Sequence, residues 1–327
     1  MTNDGILGKT DISARVFDKN TITIDMFGFA FYRYFNYKLV THARVFSLKP
    51  KFNITSNQGL FLANAFHFLN HEFGYGNMCS WKKIEGKKIQ LPIRNGEIDF
   101  DFMQRFVAEI EAECIAKVHQ YLIKNGLDAY SLTAQERQAL EDLENGKIRL
   151  KEFKLGELFE IKGNPQLNRD SFVFSEGGEY PYFTRTVMNN GISGYADYLD
   201  EEHKISGNCL AVGMMGMQFF YMEKDFYAGQ FTKRAVPKSF SLTKKTATYF
   251  TTLINKNHQV FQNLLVRNFK KEFNKTNIQL PVKNNTPDYE TMATVITAIH
   301  KLLIKDVVLY VEKERVRDKK AGGHEGI

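Results

Sequence analysis

Two patterns of apolar and polar positions alternate along this chain, and the succession occurs twice. Stretches such as "TITIDMFG" from Thr21 and "ARVFSLKP" from Ala43 put β-branched and aromatic residues into strand-like runs, with Gly5, Gly8 and Gly28 at the turns. "GLFLANAFHFLNHEFG" from Gly59 has helical spacing, and a long helical run follows from about Asp99 to Lys124, stopped by Asn125-Gly126. "SLTAQERQALEDLENG" predicts a short acidic connecting helix capped by Ser131 or Thr133. From Phe153 the strand pattern returns in "FKLGELFEIKG", "YPYFTRT", "GISGYADY" and "HKISGNCLAVGMMGMQFFY". Helical segments from Leu242 and a last long helix over about 288–316 close the series.

The two successions are copies. "IQLPIRNGEIDFDFMQRF" from Ile89 is answered by "IQLPVKNNTPDYETMATV" from Ile278, an offset of 189 that pairs Asp99 with Asp288 and Met103 with Met292. "MFGFAFY" at Met26 answers "MMGMQFF" at Met214, offset 188, and "NDGILG" at Asn3 answers "NNGISG" at Asn189, offset 186. A period this long means a duplicated domain rather than a solenoid. Pro92 and Pro281 are expected to end strands, and Asp99 and Asp288 to cap the helices that follow. The first copy lacks a counterpart of the stretch from "FKLGELFEI" to "YPYFTRT". Its sheet is therefore expected to be incomplete, with an exposed edge that either a partner or a second copy covers, or that marks the chain as a shortened version of a longer protein.

Each long helix repeats one apolar series. Met103, Val107, Ile110, Cys114, Val118 and Tyr121 match Met292, Ile296, Ile299, Leu303, Val307 and Tyr310, with spacings 4, 3, 4, 4, 3 in both. That is near a heptad seam, and the two helices are expected to pair through it. The predicted fold is α+β: two β-rich domains separated by an antiparallel pair of long helices, a coiled coil. The expected divisions are 1–93, helix 94–125, connector 126–150, second domain 151–282, helix 283–318 and a disordered tail 319–327.

Charge sharpens this picture. The formal net charge is +7, but residues 33–94 carry net +8 and residues 224–275 net +9, leaving −10 for the rest. Two basic blocks on an acidic frame suit two polyanion-binding faces. Cys79, Cys114 and Cys209 lie far apart, as in a reduced cytoplasmic protein without structural zinc. No apolar run has the length of a membrane span.

Candidate chemistry is sparse. The sequence has no Gly-rich phosphate loop, no His-Glu-x-x-His and no paired-Cys motif. Glu160 and Lys162 would be the carboxylate-lysine pair of a stand-alone metal-dependent nuclease; a scaffold for an acidic partner protein is a further alternative. The expectation is a binder without catalytic residues and without a metal site.

"FKLGELFEIKG", "YPYFTRT" and "GISGYADY", closed by "IQLPV" and a long helix, resemble a target recognition domain. Over almost its full length the chain is similar to the specificity subunit of type I restriction-modification systems or its type IIB counterpart. The resemblance implies two target recognition domains, the first short at its N-terminal side, each reading half of a split duplex DNA site. It also implies a helical spacer, methyltransferase subunits docked on the chain, and an endonuclease/translocase subunit joined through them. S-adenosylmethionine, ATP and Mg would then be cofactors of those partners, none bound by this chain.

Within that frame Arg185 and Arg234 suit guanine, and Gln230 and Asn189 suit adenine. Thr184, Thr186, Thr232 and Lys233 suit phosphate or mixed contacts. In the first copy "THARVF" stands opposite "GQFTKR" and offers Thr41, His42 and Arg44. Lys82, Lys83, Lys87 and Lys88, matched by Lys270, Lys271 and Lys275, are expected as phosphate clamps before each Leu-Pro step.

Overall fold

A computed structural model describes residues 3–39, 44–175, 177–262 and 265–322. The chain divides into two compact units, Met1–Gly126 with Val308–Ile327, and Leu127–Val307.

In the first unit β1 (Thr21–Ile24) lies between β2 (Ala30–Arg33) and β3 (Phe46–Leu48) in an antiparallel sheet of order β2-β1-β3. Helix α1 (Ser56–Ala65) packs on this sheet. Thr55 starts it with a capping box, taking the Gln58 N–H and receiving the Gln58 side chain on its own N–H. Ile22, Ile24, Leu62, Leu69, Cys79 and Met103 form the buried core. A two-stranded hairpin, β4 (Ile93–Arg94) and β5 (Glu97–Ile98), then leads into α2 (Phe100–Lys124). Asn95 and Gly96 both have positive φ, 53° and 84°, as a two-residue hairpin turn requires.

The second unit opens with α3 (Ala134–Glu144) and β6 (Leu150–Lys154). Helix α3 is no free connector: buried Glu136 accepts a hydrogen bond from Lys301 Nζ at 2.8 Å. Two further sheets follow. One runs β11 (Phe219–Met222), β10 (Cys209–Gly213), β13 (Thr232–Pro237), β7 (Phe159–Gly163); the other runs β12 (Tyr227–Ala228), β8 (Tyr180–Phe183), β9 (Ile192–Ala196). Helices α4 (Lys244–Asn255) and α5 (Leu265–Lys275) bring Phe250, Phe269 and Phe273 into the core beside Phe159, Leu210 and Phe219. β14 (Asn277–Lys283) pairs with β6 and turns back as β15 (Thr286–Pro287) into α6 (Tyr289–Gly322).

The duplication is written in the geometry. β2-β1-β3 corresponds to β11-β10-β13, Thr55 to the capping-box Thr243 of α4, and the β4–β5 hairpin to β14–β15. The Asp99 N–H donates to Pro92 O at 2.9 Å, and the Asp288 N–H to Pro281 O at 2.8 Å. Asp99 accepts the Phe102 N–H at 2.8 Å, and Asp288 the Thr291 N–H at 3.1 Å, so both cap as expected. Met103 and Met292 are each fully buried.

Three expectations are corrected. Pro281 does not end its strand: it pairs with Leu150 inside β14, and the Val282 N–H donates onward to Arg149 O at 3.0 Å. Proline lacks only a donor, and its neighbour supplies one. Helix α6 continues to Gly322, past the expected start of the tail; residues 323–327 lie outside the described residues. The predicted helix seam also turns away after its first half. Met103 and Val107, and Met292, Ile296 and Ile299, are buried or part-buried. Ile110, Cys114, Val118 and Tyr121, and Leu303, Val307 and Tyr310, are exposed. The buried residues there sit one position on: Leu122, Val308 and Val311. A residue step turns a helix by about 100°, and a straight helix drifts by about 20° per heptad against a 3.5-residue repeat, so a seam extrapolated over three heptads leaves the buried face. Within the first unit, Arg315 Nη1 donates to His119 Nε2 at 2.5 Å, joining the end of α6 to α2.

Candidate nucleic-acid interface

In the second unit the chain leaves β8 through a loop that carries Thr184, Arg185, Thr186 and Asn189. Two glycines make room for it across the end of β10. A Cβ on Gly213 would stand 2.5 Å from Arg185 Cα, and one on Gly216 would stand 2.2 Å from Val187 Cγ1. The loop then closes through three consecutive left-handed residues, Asn189, Asn190 and Gly191, with φ of 48°, 53° and 79°. The Thr184 N–H donates to Gly191 O at 2.8 Å, and Asn189 Nδ2 to Ile192 O at 3.0 Å. Arg185 and Asn189 end up exposed, with Thr184 and Thr186 part-buried.

A second segment, just before β13, meets this loop. Phe231 is exposed with φ 57°, and the Arg185 guanidinium lies over its ring, 5.8 Å from the centroid. Gln230, also exposed, donates from Nε2 to Asn168 Oδ1 at 2.9 Å. Phe231, Asn168 and Gln166, whose Oε1 accepts the Phe231 N–H at 3.2 Å, were missed by sequence reasoning. An aromatic residue inside "GQFTKR" was the available signal: exposed rings stack on bases and on arginine.

Two sequence-predicted readers are committed elsewhere. Thr232 is 1% exposed; its hydroxyl donates to Gly229 O at 2.9 Å and accepts from Asn164 Nδ2 at 3.1 Å. Arg234 is half-buried, and its Nη1 donates to Gly163 O at 2.8 Å and Asn164 Oδ1 at 2.7 Å. Alternation along β13 explains both: neighbouring side chains face opposite sides, and these two are tied to the strand β7 and its exit. Lys233, part-buried, lies between them.

In the first unit Thr41 and His42 lie outside the described residues. Arg44 is exposed with φ 50°. Leu48 pairs with Ile22 as Ala235 pairs with Leu210, which puts Arg44 in the place of Phe231, one residue off the sequence alignment of "THARVF" with "GQFTKR". Lys82, Lys83, Lys87 and Lys88 are exposed, but Lys83 Nζ donates to Asn77 Oδ1 at 2.7 Å and Lys87 pairs with Glu72 at 2.6 Å. Lys270, Lys271 and Lys275 stand on the exposed face of α5, away from buried Phe269 and Phe273.

Glu160 and Lys162 form an ion pair of 3.3 Å with each other, both about half exposed. Burial pushes the Cys209 thiol up to about 12, which keeps it protonated and unreactive at neutral pH. Among the described residues no three His, Cys, Asp or Glu side chains gather as a metal site, and no helix is long and apolar enough to cross a membrane.

A family model described as "Type I restriction modification DNA specificity domain" matches residues 2–120 and 147–309, once in each copy of the duplication. The chain belongs to this family. Among the restriction-modification specificity proteins it resembles is the specificity subunit S.BcgI of the type II restriction enzyme BgcI from Heyndrickxia coagulans. The two are 24% identical over 253 residues, 74% of this chain and 67% of the relative. The crystal structure of the type I restriction-modification S subunit from M. genitalium superposes with a TM-score of 0.57. It covers 96% of this chain and 84% of that one at 12% identity, a likeness of fold. The family match thus covers both copies of the repeated frame.

Proposed function

We propose that this chain is the DNA-recognition subunit of a restriction-modification complex and reads a bipartite duplex site in the cytoplasm, one half-site per unit. The observation that carries this reading is the duplication itself. The frame repeats down to its caps and left-handed turns, whereas the exposed residue before the third strand differs, Arg44 in one copy and Phe231 in the other. Two repeated frames with unequal tips suit two different half-sites. Affinity comes from the lysines of the basic blocks, and specificity from Arg185, Asn189 and Gln230 in the second unit and Arg44 in the first.

The long helices set the gap between half-sites and carry the partners. Phe102, Phe106, Ile110 and Tyr121 on α2, and Leu302, Leu303 and Tyr310 on α6, are large apolar side chains left exposed, which supports docking of methyltransferase subunits there. Those subunits, and an endonuclease/translocase subunit joined through them, would supply the catalysis and use S-adenosylmethionine, ATP and Mg.

The test is selection of bound duplexes from a random library in excess competitor DNA. Two fixed half-sites with a fixed gap are expected. Lengthening both helices by one heptad should widen the gap and leave the half-sites unchanged. Binding that falls with salt but selects no sequence would refute the reading, because phosphate contacts alone behave that way.

A further inference from the structure

The two units differ at one edge of the duplicated sheet. In the second unit β13 is an inner strand: β7 covers its outer side in antiparallel register, with Phe159 opposite Pro237, Glu160 opposite Val236, Ile161 opposite Ala235 and Lys162 opposite Arg234. In the first unit β3 takes the place of β13, and among the described residues no strand pairs with its outer side. Burial follows. Ala235 is fully buried, whereas Leu48 in the equivalent place remains part-exposed, as do Phe46 and Ser47. An unpaired edge that presents backbone donors and acceptors beside apolar side chains is a template for another strand.

We propose that the outer edge of β3 is a strand-addition site for an extended segment of another polypeptide, with an apolar–acidic–apolar pattern like Phe159-Glu160-Ile161. The register of β13 with β7 supplies the pattern. Transferred through the Leu48–Ala235 equivalence, it sets Ile161 opposite Leu48, Phe159 opposite Pro50 and Glu160 opposite Lys49. The second unit has Val236 at that middle position; the first has Lys49, whose side chain is 75% exposed and whose Nζ lies 3.3 Å from Asp18 Oδ2. An acidic residue in the incoming strand would share this exposed cation with Asp18. The same charges disfavour a second copy of β3 as the occupant. Such a pairing would bring Arg44, Lys49 and Lys51 of two chains onto one edge, and like charges facing across strands repel. The site lies within the first unit and does not depend on DNA reading.

The probe is a peptide with the sequence of residues 156–166 of this chain, added to the full-length protein, with hydrogen exchange as readout. The expected result is slowed exchange at residues 46–48 and unchanged exchange at 232–237. Lys49→Glu, a change at an exposed side chain, should weaken the peptide about threefold, the size of an exposed ion pair. A peptide carrying Ile161→Pro should not protect β3 at all. Because a free strand binds weakly, the same sequence tethered to the N-terminus by a Gly/Ser linker raises its effective concentration to roughly millimolar. If exchange at 46–48 is unaltered even by the tethered strand, the proposal is wrong. It is equally wrong if the protein alone is a dimer whose β3 amides are already protected, since the edge would then be self-paired.

Discussion

Arg94 holds both carboxylate oxygens of Asp99, with Nε 2.7 Å from Oδ2 and Nη2 2.5 Å from Oδ1. The pair locks the β4–β5 hairpin to the first turn of α2. The Arg94 hydrogen bonds, and then the Phe102 N–H, bring the Asp99 carboxyl down to about 2 from an ordinary 3.8. A depressed carboxylate stabilises the fold above its unfolded pKa and loses that contribution as pH falls through the folded value. The clasp should therefore persist at pH 4 and fade toward pH 2. An NMR titration of the Asp99 carboxyl should show a midpoint near 2, and Arg94→Ala should move it up toward 3.8.

Lys301→Ala is expected to destabilise the second unit by about 2 kcal/mol, because it strands a buried carboxylate. Burial alone would raise the Glu136 pKa, but hydrogen bonds from Lys301 and Thr133 outweigh it and hold it below the usual 4.5. The pair therefore stabilises at neutral pH, and its contribution falls on acidification. Adding Glu136→Gln should recover part of the loss in urea melts, since a neutral amide needs no cation.

Met103 and Met292 occupy equivalent buried places in different cores. Truncating either to Ala should cost about 3 kcal/mol through lost burial and the cavity left behind. Each should loosen its own unit. Hydrogen exchange across β1–β3 should report Met103→Ala, and across β10–β13 Met292→Ala.

Arg185 and Arg234 look alike in sequence but should behave differently. Arg185→Ala should relax selection at one base pair by about 1–3 kcal/mol and leave stability unchanged. Arg234→Ala removes the donor to Gly163 O and Asn164 Oδ1 and should lower stability by about 1 kcal/mol. Duplex selection and thermal melts run on the same two variants separate these outcomes.

Which features were legible follows from how local their chemistry is. The caps at Asp99 and Asp288 depend on neighbours a few residues away, so the repeat exposed them directly. The outer edge of β3, which no strand among the described residues pairs with, was also readable, because the stretch that forms β7 in the second copy has no counterpart in the first. The pairing of β14 with β6 joins residues 277–281 to 150–154, and no local signal encodes it. Pro281 accordingly looked like a strand end. The helix seam failed at Ile110 and Leu303 because these helices bear apolar residues on more than one face, and only packing selects the buried one. Of the residues expected to read bases, Arg185 and Gln230 are exposed. Strand alternation, invisible without register, withdrew Thr232 and Arg234.

The last helix is shared. Met292, Val295 and Ile296 are buried in its first turns, which belong to the second unit, whereas Val308 and Val311 are buried where it belongs to the first. During synthesis the first unit's sheet and α2 emerge early, yet residues 308–322 reach the ribosome's exit only after the whole second unit has been made. Until then His119 on α2 lacks the partner that Arg315 gives it in the finished molecule. The first unit is thus completed only after the second has been made.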